Sequence, residues 1–237
     1  MYTCLMYHEV VTPLLYKFSV EPLQFEKQLH ALADAGVVSY ILGENGNKDK
    51  YKCLITFDDG HESNLNAARL LAELGYVGYF YLIKDYSMGR EDYMSEGDIK
   101  EISSLGHHLG VHGKNHDQWS RMPEKKLISD LRETKDWIEQ LTGKPVYTCS
   151  APGGNIDQKT IELIKREIPE LKYIRTSRYG VNNEDSTVIN SIGVRGDYSV
   201  NKVLRLATNK RWEMIKMMAF YNTKELFKPL YHYVIKK

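Results

Sequence analysis

Long apolar runs are missing from this sequence: no stretch approaches the ~18 continuous apolar residues of a membrane span. An excess of charge of one sign is missing as well. Lys and Arg number 32 against 31 Asp and Glu, a formal net charge of +1, which removes the counterion-driven electrostatics of a nucleic-acid binder. No nucleic-acid partner is expected. Cysteine is scarce. Cys4, Cys53 and Cys149 lack the spacing of a zinc ribbon or redox motif and lie in or beside apolar runs, so they read as buried free thiols suited to a reducing compartment. The opening residues, MYTCLMYHEVV, have no basic segment and are broken by His8 and Glu9, too early for a signal peptide. The expectation is a cytoplasmic protein, reaching at most the inner face of the membrane. Internal repeats and Pro-, Gly- or Ser-rich linkers are absent, and no G-x-G-x-x-G or phosphate loop follows an apolar run.

What is present describes a packed globular chain. Its 237 residues, 42% hydrophobic and 27% charged, fit a single domain spanning 1–237. Tyrosine is abundant at 17 residues, an excess that suits a core, a sugar-binding groove or an interface. Apolar β-prone runs alternate with amphipathic stretches, the pattern of repeated strand–helix units on a parallel sheet. Strands are expected at 2–7, 37–42, 53–57, 77–83, 109–112, 145–149, 172–176 and 188–192. Helices are expected at 22–35, 63–74, 95–105 with Ser95 as N-cap, 123–142, 157–167, and from about 200 onward. His8, Asp58-Asp59, His112 and the 150–154 turn each follow a strand. The C-terminal rim of a (β/α) barrel is where such residues assemble from several strands. An open nucleotide-binding sheet lacks its glycine-rich signature, so an α/β barrel is the expected fold.

Two constellations carry chemistry. Thr56-Phe57-Asp58-Asp59-Gly60 places adjacent carboxylates at the end of a buried strand, where a cation offsets their desolvation and repulsion. The bland alternative is a helix cap. Gly106 to His116 contains four of the eight histidines, and His112 and His116 are spaced to reach one ion. Two imidazoles and one carboxylate make a facial set with open positions. His61 reads as an exposed loop residue, and His107 and His108 carry no role beyond a contact behind the ligands.

T-F-D-D-G, then G-H-x-x-G-x-H-x-x-x-H, then a strand ending in a Pro-Gly turn resembles the polysaccharide deacetylases, carbohydrate esterase family 4, over roughly residues 1–200. The resemblance implies a distorted, TIM-like (β/α) barrel of about seven strands with a divalent metal, commonly zinc. It further implies Asp59, His112 and His116 as metal ligands, Asp58 as catalytic base and the Gly153 N–H as an oxyanion donor. Met6-Tyr7-His8-Glu9-Val10 resembles the permuted poly-N-acetylglucosamine deacetylase branch, which implies His8 as the general acid; His232 is the only late histidine of the alternative hydrophobic-x-His kind. Tyr7, Pro152 and Gly154 are then expected to bind substrate. The sequence departs from the family in two places. Gly113 stands where Ser or Thr usually follows the first metal-binding His, and the 150–154 turn has no Arg to tune the base, leaving Arg175, Arg178 and Arg195 as candidates.

The implied reaction is metal-dependent removal of acetyl groups from an N-acetylated oligo- or polysaccharide, or from a lipid-linked precursor. O-acetyl esterase activity and a catalytically lapsed carbohydrate-binding barrel are the alternatives. The final segment, 209–237, carries seven Lys or Arg against two Glu, together with many aromatic residues. It reads as a last helix packed on the barrel, a homodimer contact, or a peripheral membrane contact.

Overall fold

The computed structural model describes residues 1–44, 50–154, 156–210, 212–213, 215–217 and 219. In chain order its elements are β1 (Thr3–Tyr7), α1 (Pro22–Asp34), β2 (Val38–Ser39), β3 (Lys52–Phe57), α2 (Asn64–Glu73), β4 (Gly78–Leu82), α3 (Lys84–Gly89), α4 (Glu96–Ser104), β5 (His108–Val111), α5 (Glu124–Thr142), β6 (Thr148–Ser150), α6 (Gln158–Glu167), β7 (Tyr173–Arg175), β8 (Val188–Ile189), β9 (Ile192–Gly193) and α7 (Val200–Ala207). The basic, aromatic segment beyond residue 219, including His232, lies outside the described residues.

Local signals account for most boundaries. Pro22 opens α1, whose Phe25, Leu29 and Leu32 are buried against the sheet. Ser95 and Asp98 form a reciprocal capping box on α4, and the Asp157 side chain accepts the Thr160 N–H at the start of α6. The α5 helix ends at Gly143 in the left-handed conformation.

The strands form one parallel sheet in the order β8-β7-β6-β5-β4-β3-β1-β9, with β2 pairing alongside the start of β3. β8 and β9 stand at opposite ends of this order, yet only Asn190 and Ser191 separate them in sequence. The sheet therefore curls until its ends meet. With β8–β9 serving as one stave between β7 and β1, the staves number seven, as expected for a distorted (β/α) barrel.

The structure departs from the sequence expectations in three places, the second of which follows from this closure. The strand expected at 37–42 is confined to Val38–Ser39, because Tyr40 and Leu42 leave the ladder to pack inside the barrel. The single strand expected at 188–192 splits, because it must pair with β7 and then with β1. The short helix α3 was not expected at all.

Strand alternation divides the side chains into two layers. Outward residues such as Leu5, Tyr7, Ile55, Phe57, Phe80 and Val111 pack beneath the helices. Inward residues include Cys4, Leu54, Tyr79, Tyr81, Tyr173 and Ile189, joined by Tyr2, Tyr40 and Leu42. Much of the tyrosine excess thus fills the lumen. The hydroxyls are used there: Tyr79 accepts the Leu42 N–H at 2.9 Å and pairs with Tyr147 at 3.1 Å, and Tyr81 pairs with Thr148 at 3.0 Å. Gly110 makes room for this layer, since a Cβ there would meet the Tyr81 ring at 2.5 Å. The three cysteines are free and buried, and burial pushes the Cys4 and Cys53 thiols up to about 12, leaving them unreactive.

Candidate metal centre at the C-terminal rim

Inward positions one step further along the same strands change from tyrosine to polar and charged residues. On β3 the sequence runs Leu54, Thr56, Asp58; on β5, His108, Gly110, His112; on β7, Tyr173, Arg175. Asp59 and His116 join them from turns, each in the left-handed backbone region at φ 72° and 64°. Non-glycine residues held in that region store strain, and such strain concentrates at functional sites.

The ligand atoms of Asp59, His112 and His116 all lie within 4.8 Å of one another. Asp59 Oδ1 is 3.1 Å from His112 Nε2 and 3.3 Å from His116 Nε2. His112 Nδ1 is 2.7 Å from the Ser150 carbonyl oxygen, which can only accept. The Nδ1 therefore carries a proton, and in the neutral ring Nε2 presents a lone pair to a carboxylate oxygen. Two acceptors so placed need a cation between them or an extra proton on the ring. Although burial opposes it, the carboxylates of Asp58 and Asp59 raise the His112 pKa, the direction that favours the extra proton. Burial likewise pushes the Asp59 pKa up, but the two imidazoles outweigh it and hold the carboxyl well below its usual range. This donor set fits a divalent ion. Exposure rises from 1% at the His112 side chain to 26% at Asp59 and 37% at His116, so one side opens to the cleft.

Asp58 is buried beside this cluster, its Oδ2 3.9 Å from His112 Nε2. The same oxygen pairs with Nη2 of fully buried Arg175, which also bonds Ser150 Oγ. Arg175 Nη1 reaches Ser191 Oγ at 3.0 Å and Met6 Sδ at 2.6 Å. Asp58 Oδ1 is buried without a partner among the described residues. Of the three arginines that the sequence left open, Arg175 is the partner. Arg178 bonds the Ile156 carbonyl, and Arg195 pairs with Asp197. The register explains this: Arg175 lies directly across from Ser150, so an arginine absent from the β6 turn is supplied by the neighbouring strand.

The missing hydroxyl at Gly113 is compensated differently. Gly113 has φ +97°, and a Cβ there would meet Trp119 Nε1 at 3.2 Å, so the indole occupies the space. The ligand loop is held by the Lys84 N–H to the Gly113 carbonyl at 3.3 Å and the Asp85 N–H to the Lys114 carbonyl at 2.8 Å. Glu133 on α5 binds both Lys84 and Lys114.

His8 follows β1 and stacks on Phe18, ring centroids 5.1 Å apart, with the edge of Tyr16 nearby. Burial lowers its pKa, an effect opposed by the carboxylates of Asp58 and Asp59. Its Nδ1 is buried without a partner among the described residues. Nothing in the sequence singled out Phe18, Tyr16 or Ser191, and Met6 was noted only as part of the motif around His8; these residues reach the site through loops or strand register.

Several expectations need correction. Tyr7 does not line the substrate cleft. It faces outward from β1, fully buried against Phe25 and Phe57, and donates to Gln28 Oε1 at 3.0 Å. The parity that points His8 and Met6 to the site turns Tyr7 away. Gly154 is buried, its N–H bonded to the Ala151 carbonyl and its carbonyl accepting the Ser177 N–H, bonds that shape the turn. Pro152 is buried behind the turn as well, leaving Gly153 exposed at its tip. His61 is also buried: its Nδ1 accepts the Ser63 N–H at 3.1 Å, and the Ser63 hydroxyl accepts the Val10 N–H, tying the Asp-Asp-Gly turn to the loop after His8. His107 is a core strut whose Nδ1 accepts the Gly78 N–H and whose Nε2 meets the Ala68 carbonyl. His108 stacks on Tyr79 within the lumen.

The polysaccharide deacetylase family profile matches residues 45–167, more than half of the chain and the stretch that contains Asp58, Asp59, His112 and His116. The chain belongs to the polysaccharide deacetylase family. Curated relatives include YxkH of Bacillus subtilis, 24% identical over 171 residues and covering 68% of this chain and 60% of the relative. Another is a peptidoglycan-N-acetylglucosamine deacetylase of Bacillus cereus, 27% identical over 128 residues and covering 53% of this chain and 57% of the relative. The chain thus spans about 60% of the length of these relatives. Among solved structures, the deacetylase PplD of Streptococcus pyogenes superposes with a TM-score of 0.78 at 20% identity, covering 87% of this chain and 97% of that one. IcaB from Ammonifex degensii superposes at 0.74 and 23% identity, covering 87% and 96%. At these identities the likeness establishes the shared barrel fold.

Proposed function

We propose that this polysaccharide deacetylase family member removes the acetyl group from an N-acetylated sugar of a polysaccharide or glycan precursor, with a divalent ion, zinc by the nature of the ligands, held by Asp59, His112 and His116. The observation that carries this reading is the carboxylate oxygen of Asp59 facing the lone pair of His112, beside a buried Asp58 whose Oδ1 has no partner among the described residues. When bound, such an ion activates water and polarises the acetyl carbonyl.

The protein's own groups supply the remainder. Arg175 pairs with Oδ2 of Asp58 and fixes the carboxylate's orientation, leaving Oδ1 free to take a proton from the attacking water. The Gly153 N–H, from the exposed tip of its turn, stabilises the developing oxyanion in this reading. His8, against Phe18 and under the influence of both carboxylates, delivers a proton to the departing amine. A barrel kept only to bind sugar has no use for the desolvated Asp58–Arg175 pair, whose burial carries a cost. The products are acetate and a free amino sugar.

The test is acetate release from N-acetylglucosamine oligomers by zinc-loaded protein, compared with Asp58→Asn. Activity in the parent, with loss of turnover but retained zinc in the variant, is the expected result. Absence of zinc uptake by the parent chain would overturn the reading.

A further inference from the structure

Beside the metal-ligand cluster, the segment after β4 carries a cation that the reaction above does not use. Arg90 lies at the end of α3, exposed, with its guanidinium carbon 3.5 Å from the centroid of the Tyr86 ring and 5.7 Å from that of Tyr93. Tyr86 and Tyr93 meet edge to face at 4.8 Å. Tyr86 also approaches His116, ring centroids 6.5 Å apart, so one ring neighbours both the guanidinium and a proposed ligand imidazole. Tyr93 is fastened to the catalytic turn by the His61–Tyr93 bridge, and its phenol feels the charges of both Asp59 and Arg90.

Arg90 lacks the carboxylate partner that several exposed arginines have, whereas exposed Arg132 and Arg178 bond backbone carbonyls instead. Arg69, Arg166, Arg195 and Arg205 each pair with a carboxylate: Glu101, Glu167, Asp197 and Glu213. Arg90 has no ion-pair partner among the described residues, although Glu91 and Asp92 follow it in sequence. Stacking satisfies its face and the Tyr93 hydroxyl engages part of its edge, leaving the remaining N–H donors at the exposed rim. A planar fork of this kind matches a carboxylate or phosphate through two parallel hydrogen bonds, and being held on a ring reduces the entropy lost on binding.

We propose that Arg90, held on Tyr86 and Tyr93 beside His116, forms a specificity subsite for a carboxylate or phosphate carried by the glycan unit next to the N-acetylated sugar. The subsite rests on the deacetylase reading for its substrate and extends that reading to the charge of the glycan. The neighbouring unit lies across the Tyr86–Tyr93 wall with its anionic group on the guanidinium edge, and the acetyl group is thereby set over Asp59 and Asp58.

The test compares acetate release from three oligosaccharides of equal length: neutral N-acetylglucosamine oligomers, oligomers alternating N-acetylglucosamine with glucuronic acid, and N-acetylglucosamine units joined by phosphodiesters. Binding of each is also measured by titration calorimetry. The expected result is a preference, on the order of tenfold in kcat/KM and in affinity, for one or both anionic substrates over the neutral one, the size of a charge-assisted hydrogen-bonded contact. The preference weakens as salt is added. Arg90→Met, which keeps the stacking hydrocarbon, brings the ratio of anionic to neutral kcat/KM close to one. Arg90→Lys falls between, since it keeps a point charge without the fork. The uronate and phosphodiester arms show which anion is read. Equal handling of all three by the parent protein, or equal loss on charged and neutral substrates in Arg90→Met, would overturn the subsite. Failure of the deacetylase reading appears differently, as no acetate from any oligosaccharide while calorimetry still reports the charge preference or its absence.

Discussion

The lower and upper halves of the barrel lumen are built on the same strands with the same parity, and they differ almost completely in chemistry. Below, Tyr2, Tyr40, Tyr79 and Tyr173 pack with Leu54 and Cys4, and the Tyr79 hydroxyl is spent on a backbone N–H and on Tyr147. Burial holds the phenol pKa values of Tyr79 and Tyr81 far above their usual range, so these tyrosines stay neutral. Above, Asp58, Arg175 and His112 occupy the corresponding inward positions with the hydroxyls of Ser150 and Ser191. The tyrosines form a largely neutral floor, with the ion pair of buried Lys52 and Glu184 at its far end, and the Asp58–Arg175–His112 cluster occupies the layer that the cleft reaches. Ions that must be desolvated are cheaper to hold when each faces a partner and a rigid neutral layer lies beneath.

Perturbing each half separates the two roles. The largest effect is expected from Asp58→Asn, a fall in kcat on the order of 10²–10⁴ with zinc content unchanged, read by acetate release and metal analysis. Arg175→Met removes the partner of a buried carboxylate and is expected to destabilise the fold by about 3–5 kcal/mol in denaturant titration. Adding Asp58→Asn to that variant recovers part of the loss, because the unpaired charge is gone. If no recovery occurs, the buried pair is not what the upper layer depends on.

A smaller effect is expected below. Tyr79→Phe leaves the Leu42 N–H without its acceptor and costs about 1–3 kcal/mol, with kcat/KM per folded molecule unchanged. A loss of activity in that variant would show that the floor is coupled to the chemistry. The smallest effect concerns His107, outside the lumen. Burial lowers its pKa below the ordinary 6.5, so the unfolded chain takes up a proton before the folded one does. Stability therefore declines as pH falls below 6.5 and levels off once the folded pKa is passed. His107→Asn should flatten that part of the profile in thermal melts between pH 7.5 and 5.5.

How far the sequence could be read varied with the kind of interaction. The Asp58-Asp59 pair and His112 and His116 were legible because metal ligation imposes residue type and short spacing. Their convergence with Asp59 within 4.8 Å follows from β3 and β5 both ending at the same rim, a consequence of alternating strands and helices that periodicity already indicates. Tyr7 was misplaced because neighbours in a strand face opposite ways, and proximity in sequence to His8 says nothing about side. Arg175 could be named only as one of three, since its pairing depends on the register of β7 against β6. The burial of His61 and the core role of His107 escaped notice because a histidine satisfied by backbone groups leaves no mark on composition.

The sequence by itself determined the alternation that makes a parallel sheet, the helix caps, the buried thiols and the residue types of a metal site, all of which depend on local propensity and short spacing. Tertiary structure alone decided that one strand splits to close the barrel, that the tyrosines turn inward as a floor, and that an arginine on β7 serves Asp58. Those outcomes depend on which residues of distant strands lie side by side, and register is set by the packing of the whole sheet rather than by any segment within it.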